Sequence, residues 1–116
     1  MDDFRQFAAG PDPFGKTWQV EFGWLQTAIS IRRSDSVDVK FFLSDGEERC
    51  EKVVALPHPD LLDLSRRVNR PLTDPWCSRL AALHVLHMVE TGEDMEKILV
   101  TLSTQEMARY AGMLDS

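Results

Sequence analysis

The spacing of apolar residues changes near Pro57, and this change constrains the fold more than any other feature of the sequence. Before Pro57, apolar and polar residues alternate, as in VDVKFFL at positions 37–43. Alternation of this kind is typical of strands that bury one face. After Pro57, apolar residues recur every three or four positions, which is the pattern of amphipathic helices. Strands followed by helices, without repeated alternation of the two, predict an α+β fold.

The alternating half, residues 16–56, predicts a three-stranded antiparallel meander. In the first strand the apolar frame shifts by one position after Gly23. A β-bulge at this glycine would return the same face to the core. Asp45 and Gly46 separate the second and third strands, and an Asp-Gly pair between alternating segments is a strong hairpin signal. Residues 1–15 contain GPDPFG, which predicts an N-terminal segment and loop before the sheet.

The second half, residues 58–116, predicts three to four helices packed on one face of the sheet. After the first helix, the next is predicted over 75–91, with Thr73 or Asp74 as its N-cap, and it ends at Gly92. A capping box from Ser103 to Glu106 opens the last helix. Between these two, helical spacing predicts a short third helix with the apolar residues Met95, Ile98, Leu99 and Leu102.

The composition is that of an acidic globular protein. Of 116 residues, 43% are hydrophobic and 28% are charged, so we expect a single domain over residues 1–116. The net charge of −6 argues against nucleic acids and membranes as partners, because both attract basic surfaces. Two cysteines, no signal-like apolar start and no long apolar run favour a cytoplasmic protein. The absence of P-loop, GxGxxG and GxSxG motifs leaves no cofactor and no catalytic residue assigned.

The stretch DPWCSRLAALHVLHMVETGED, residues 74–94, contains the first candidate site. On a helix, His84 and His87 are spaced i and i+3 and can approach one metal ion, and Cys77 lies two turns earlier on nearly the same side. With His58 as a further ligand, these residues suggest a metal-binding or small-ligand domain, with or without enzymatic activity. Without an HExxH or CxxC motif, the alternative is that they pack at the edge of the core.

Three arginines, Arg66, Arg67 and Arg70, share the outer side of the first predicted helix. If Arg32 and Arg33 adjoin them, the five side chains would form a basic patch able to bind a carboxylate or phosphate. The alternative is a cationic helix C-terminus, which the helix dipole favours without any ligand.

Two aromatic residues, Trp24 and Phe42, are predicted on the face of the sheet that points away from the core. An exposed tryptophan on a sheet is a typical anchor for a partner chain. The alternative is that the N-terminal segment or a later helix covers both. The sequence therefore predicts a small non-enzymatic domain that binds a protein partner or a second copy of itself. The alternative function is the metal or ligand domain built on Cys77, His84 and His87.

Overall fold

A computed structural model describes residues 4–28 and 35–114 of the chain. The strands and helices in this part are, in chain order, β1 (Gln6–Ala9), β2 (Trp18–Ala28), β3 (Ser36–Ser44), β4 (Arg49–Pro57), α1 (His58–Arg67), α2 (Asp74–Thr91), β5 (Leu99–Thr101) and α3 (Thr104–Leu114). Four strands precede the first helix, and one short strand lies between the last two helices. The predicted α+β class is confirmed.

The strands form one sheet in the order β1-β2-β3-β4-β5. β1 to β4 pair antiparallel, whereas β5 pairs parallel to β4, so the sheet is mixed. The predicted three-stranded meander corresponds to β2, β3 and β4. The sheet has five strands rather than three, because β1 and β5 extend it on either side. The predicted bulge is confirmed, since the pairing of β2 with β3 shifts register between Phe22 and Trp24.

The prediction of a short third helix with Met95, Ile98, Leu99 and Leu102 is wrong. A turn followed by β5 occupies this segment instead. The run ILVTL at 98–102 is short and rich in β-branched residues, and such a run is ambiguous between helix and strand. The edge of β4 decides between them. The N–H of Val53 donates to the carbonyl of Ile98 at 2.7 Å, and the N–H of Leu102 donates to the carbonyl of Ala55 at 2.9 Å.

The N-terminal segment contains a strand that the sequence analysis did not predict. β1 is only four residues long, too short for its alternation to stand out. The ring of Phe4 lies edge-on to Phe22 with the centres 5.7 Å apart, and the ring of Phe7 lies edge-on to Phe41 at 6.4 Å. Two of the N-terminal phenylalanines therefore pack toward the core, whereas Phe14 in the following loop is 89% exposed.

The ends of α2 and the start of α3 follow the capping signals of the sequence. The hydroxyl of Thr73 accepts a hydrogen bond from the N–H of Trp76 at 3.3 Å, and Gly92 ends α2 with a φ of 74°. Glycine adopts this left-handed conformation without strain. The capping box also forms: the N–H of Glu106 donates to Ser103 Oγ at 3.1 Å, and the N–H of Ser103 donates to Glu106 Oε1 at 3.0 Å.

The helices cover one face of the sheet, which we call the inner face. The alternate residues of β3 that point to this face, Val37, Val39, Phe41 and Leu43, are buried together with the apolar side of α2. α2 runs across β1 to β4, α3 packs against both α2 and α1, and α1 also contacts β4. The opposite face, called the outer face, carries no helix from the described residues. No helix in the described ranges has the length and apolar content needed to cross a membrane.

One charged residue, Lys52, points to the inner face and is only 2% exposed. Its Nζ donates hydrogen bonds to the backbone carbonyls of Met95 and Lys97. Both carbonyls belong to the turn that leads into β5. A buried ammonium group is tolerated only with such partners, so Lys52 ties this turn to β4.

Candidate functional site

A row of side chains crosses four strands on the outer face. By register, Trp24 on β2 lies opposite Lys40 on β3, Lys40 lies opposite Val53 on β4, and Val53 lies opposite Leu99 on β5. Phe42 stands two positions along β3 from Lys40 and therefore points to the same face. We call Trp24, Lys40, Phe42, Val53 and Leu99 the outer-face patch.

Lys40 brings the two predicted aromatic anchors together. Its Nζ lies 5.8 Å from the ring centre of Trp24 and 5.2 Å from the ring centre of Phe42. At these distances an ammonium group is attracted to the face of an aromatic ring. Glu51 on β4 pairs with the same Nζ at 3.0 Å. The charge of the lysine is therefore balanced, and its stem and the two rings form a largely apolar surface.

The bulge at Gly23 shapes this surface. A Cβ at position 23 would lie 2.8 Å from Cε2 of Phe42 and 3.1 Å from the carbonyl oxygen of Lys40. The ring of Phe42 thus lies directly against the backbone of the glycine, where a side chain would displace it. The bulge also points Trp24 to the outer face and returns Leu25 to the core side. One glycine therefore positions both aromatic anchors.

The outer-face patch stays accessible in the described part of the chain. Trp24 is 36% exposed and Leu99 is 59% exposed, and the other members are half-buried. One alternative from the sequence was that the N-terminal segment covers the patch. In the structure, Phe4 and Phe7 of this segment pack on the inner face instead. Within residues 4–28 and 35–114, neither aromatic anchor is covered by another segment.

A depression of about 410 Å³ adjoins Phe42 on the outer face. Polar side chains from β1, β2 and β4 line it, among them Gln6, Glu21 and Arg49. A polar rim beside an apolar centre is the usual arrangement of a protein–protein contact surface.

The residues of the predicted metal site, Cys77, His84 and His87, lie along α2. The rings of His84 and His87 stack with their centres 6.1 Å apart, but Cys77 is two turns away, about 10 Å along the helix axis. Within residues 4–28 and 35–114, no group of three His, Cys, Asp or Glu side chains is placed to hold a metal ion. His58, the further ligand considered, is the first residue of α1.

His84 belongs to a buried hydrogen-bond network that joins α2 to α3. It is 5% exposed, and its Nδ1 lies 2.8 Å from the hydroxyl of Tyr110. Arg109 Nη2 donates to the same hydroxyl oxygen at 3.2 Å, so the hydroxyl of Tyr110 contacts both side chains. Glu106 Oε2 stands 3.6 Å from Nδ1.

This network makes stability depend on pH. Burial lowers the pKa of His84 below its ordinary value of 6.5, and the nearby Glu106 carboxylate offsets this only in part. As the pH falls below 6.5, the unfolded chain therefore takes up the proton before the folded chain does. The stabilisation that depends on neutral His84 is complete above that pH and is lost as the pH falls toward the folded-state pKa.

We expect the free energy of unfolding to fall between about pH 7.5 and about pH 5.5 in the wild type and to change less in His84→Asn. Asparagine can place an oxygen near the position of Nδ1 but does not titrate. Urea unfolding at the two pH values measures the difference. Burial alone would raise the pKa of Glu106, but hydrogen bonds from Ser103 outweigh this and hold it below 4.5, so this carboxylate does not titrate in the range tested. An equal pH dependence in both proteins would show that His84 does not cause it.

The thiols are poorly suited to nucleophilic chemistry. Burial raises the pKa of Cys77 to about 12 and also raises the pKa of Cys50 above its ordinary value of 9.0. Because the thiolate is the reactive form, both side chains are held in their unreactive state at neutral pH.

The three arginines of the predicted anion site are all exposed at the end of α1. Arg66 and Arg67 lie in its last turn, and Arg67 pairs with Asp63 one turn earlier at 3.2 Å. Arg70 follows the helix. Arg32 and Arg33 lie outside the described residues, so the anion-binding hypothesis stays a prediction. The position at a helix C-terminus is one that the helix dipole favours.

Sequence reasoning missed Val53 and Leu99 on the outer face, and Tyr110 as the partner of His84. The alternation of β4 could have placed Val53 on the outer face once its register with β3 was known. Leu99 and Tyr110 have no such signal, because each depends on a contact between distant segments of the chain.

Comparisons with protein-family models, with curated proteins and with solved structures gave no match to this chain. The functional proposal therefore depends on the geometry of the site and on the charges around it.

Proposed function

We propose that the protein is a non-enzymatic self-association domain, in which the outer face of the sheet binds the same face of a second copy. The observation that supports this most is the outer-face patch, where Trp24 and Phe42 lie against Lys40 on a face that no helix of the described residues covers. Aromatic side chains of this kind account for much of the binding energy at protein interfaces. Trp24 and Phe42 are the proposed anchors.

The charge of the outer face favours a second copy as the partner. The chain carries −6 overall, which repels another copy over most of its surface. On the outer face of the described strands, however, the cations Lys40 and Arg49 stand against the carboxylates Glu21, Asp38 and Glu51. Two positive and three negative charges leave only −1 on this face. Two such faces can approach with little repulsion, and each lysine can also meet a carboxylate of the other copy.

The state of the reactive side chains supports a function without catalysis. The raised pKa values of Cys50 and Cys77 keep both thiols protonated. His84 is buried and engaged with Tyr110, so its Nδ1 is not available to a substrate.

Trp24→Ala and Phe42→Asp are each expected to weaken self-association by about thirtyfold or more, because loss of an interface anchor costs at least about 2 kcal/mol. Phe42→Asp also adds a negative charge at the contact on both copies. Sedimentation velocity over a concentration series measures the effect, and circular dichroism shows whether each variant is folded.

Phe14→Ala is the matched control, because Phe14 is 89% exposed but lies in the loop between β1 and β2. It should associate as the wild type does. A wild type that stays monomeric at every concentration would contradict the proposal. So would folded Trp24 and Phe42 variants that associate as strongly as Phe14→Ala.

A further inference from the structure

The edge of the sheet at β5 has features that the proposed contact does not explain. Leu99 is 59% exposed, as is the adjacent Ile98, and Thr101 is also exposed. No described strand pairs with the edge of β5 that faces away from β4. An apolar strand with an open edge is a template for pairing with another strand.

The hydrogen bonds to β4 show which backbone groups face that open edge. The carbonyl of Ile98 and the N–H of Leu102 both bond β4. Backbone groups alternate in direction along a strand, so those of Val100 also face β4. The N–H and carbonyl groups of Leu99 and Thr101 therefore point away from β4, toward the open edge.

We propose that β5 pairs antiparallel with β5 of a second copy, in a register centred on Val100. Leu99 of one copy then lies opposite Thr101 of the other, and Thr101 opposite Leu99. Each of these pairs exchanges two backbone hydrogen bonds, because both residues present their N–H and carbonyl groups to the open edge. The two Val100 residues face each other on the two-fold axis as a non-hydrogen-bonded pair.

The sequence around β5 makes a second copy a suitable occupant. Residues 98–102 contain no charged side chain, although 28% of the chain is charged. Natural edge strands are protected by lysine, proline, a bulge or a short length, and β5 has only the last of these, with three residues. In the proposed register Lys97 lies opposite Ser103 of the other copy rather than opposite a like charge. The edge is thus a place where two acidic copies can meet without charge repulsion.

A register shifted by two residues, centred on Leu99 instead of Val100, would be less favourable. If Leu99 of one copy faced Leu99 of the other, the next hydrogen-bonded pair would join Lys97 of one copy to Thr101 of the other. The N–H of Lys97 already bonds the carbonyl of Asp94 at 3.0 Å, and its own carbonyl accepts from Lys52. Of these two registers, the one centred on Val100 is the one whose paired backbone groups all face the open edge.

This contact goes beyond the proposed function, because it uses the edge of the sheet rather than its outer face. Two sheets of five strands would join into one of ten, with both outer-face patches on the same side. The edge contact is therefore compatible with outer-face binding, and the two contacts can be tested separately.

Disulfide formation between variants that each carry one added cysteine, beside the buried Cys77, tests the register. In a Cys50→Ala background, Val100→Cys is expected to form a disulfide-linked dimer on mild oxidation, because a non-hydrogen-bonded pair has its Cα atoms about 4.5 Å apart, within disulfide range. Leu99→Cys and Thr101→Cys should each stay largely monomeric alone and form linked dimers when mixed. This pair of variants points away from the core and keeps the test valid if Val100→Cys is unstable.

Cross-linking of Val100→Cys together with the mixed-only pattern would support the edge contact. A linked dimer from Leu99→Cys alone that is as abundant as that from the mixture, or no linked dimer from Val100→Cys and from the mixture, would overturn it. Introducing Trp24→Ala into these variants separates the two contacts, since the cross-linking pattern should persist when the outer-face contact is weakened.

Discussion

Replacing Phe41 by alanine is expected to lower the free energy of unfolding by about 4 kcal/mol, in the range for buried phenylalanine. Phe41 is fully buried, and its ring contacts Phe7 and Phe22 edge-on, with centres 6.4 and 6.0 Å away. The substitution would leave a cavity where the inner face meets the helices. Urea unfolding followed by circular dichroism measures the loss.

Phe42→Ala is the matched control, because it removes the same side chain from the neighbouring residue on the other face of β3. Phe42 is half-buried, and its loss is expected to cost only about 1 kcal/mol. A register of β3 shifted by one residue would exchange the two faces and reverse the order of the two effects. Equal or reversed losses would therefore show that the sheet does not have the alternation described.

Replacing Lys52 by methionine is expected to lower the free energy of unfolding by about 3 kcal/mol. Methionine fills a similar volume but leaves the carbonyls of Met95 and Lys97 without the donor they have in the wild type. Buried acceptors that lose a charged donor are costly. The turn before β5 should open locally, and the amide hydrogens of Val53 and Leu102, which bond across the β4–β5 pair, should exchange faster.

Lys97→Met is the control for this substitution. Lys97 lies in the same turn and pairs with Asp94 at 3.2 Å, but its side chain is 57% exposed. An exposed ion pair contributes little, so the change should stay within about 0.5 kcal/mol. A Lys52→Met protein as stable as Lys97→Met, with unchanged amide exchange at Val53, would contradict the structural role of Lys52.

The parts of the fold that could be predicted are those encoded by neighbouring residues. Alternation specified β2, β3 and β4, the frame shift at Gly23 specified the bulge, and the Asp45–Gly46 pair specified the hairpin. Gly92 specified the end of α2, and its start was predicted to within one residue, with Thr73 or Asp74 as the N-cap. Each of these signals acts within a few residues and does not need a tertiary partner.

The parts that could not be predicted depend on a partner far along the chain. Residues 98–102 have helical spacing and become a strand only because the edge of β4 is available to them. The same holds for the site. Trp24 and Phe42 could be placed on the outer face from alternation, whereas their shared contact with Lys40 and the proximity of Leu99 follow from sheet register. His84 could be recognised as a core-edge residue, but its hydrogen bond to Tyr110 could not.

Acrylamide quenching of Trp24 at low and high protein concentration tests the proposed outer-face contact most directly. Trp18 and Trp76 are each 7% exposed and Trp24 is 36% exposed, so subtracting the emission of Trp24→Phe isolates the signal of Trp24. If the outer faces bind each other, Trp24 should be quenched strongly in dilute solution and much less as the concentration rises. Quenching of Trp24 that stays constant over the whole series would contradict self-association through this face.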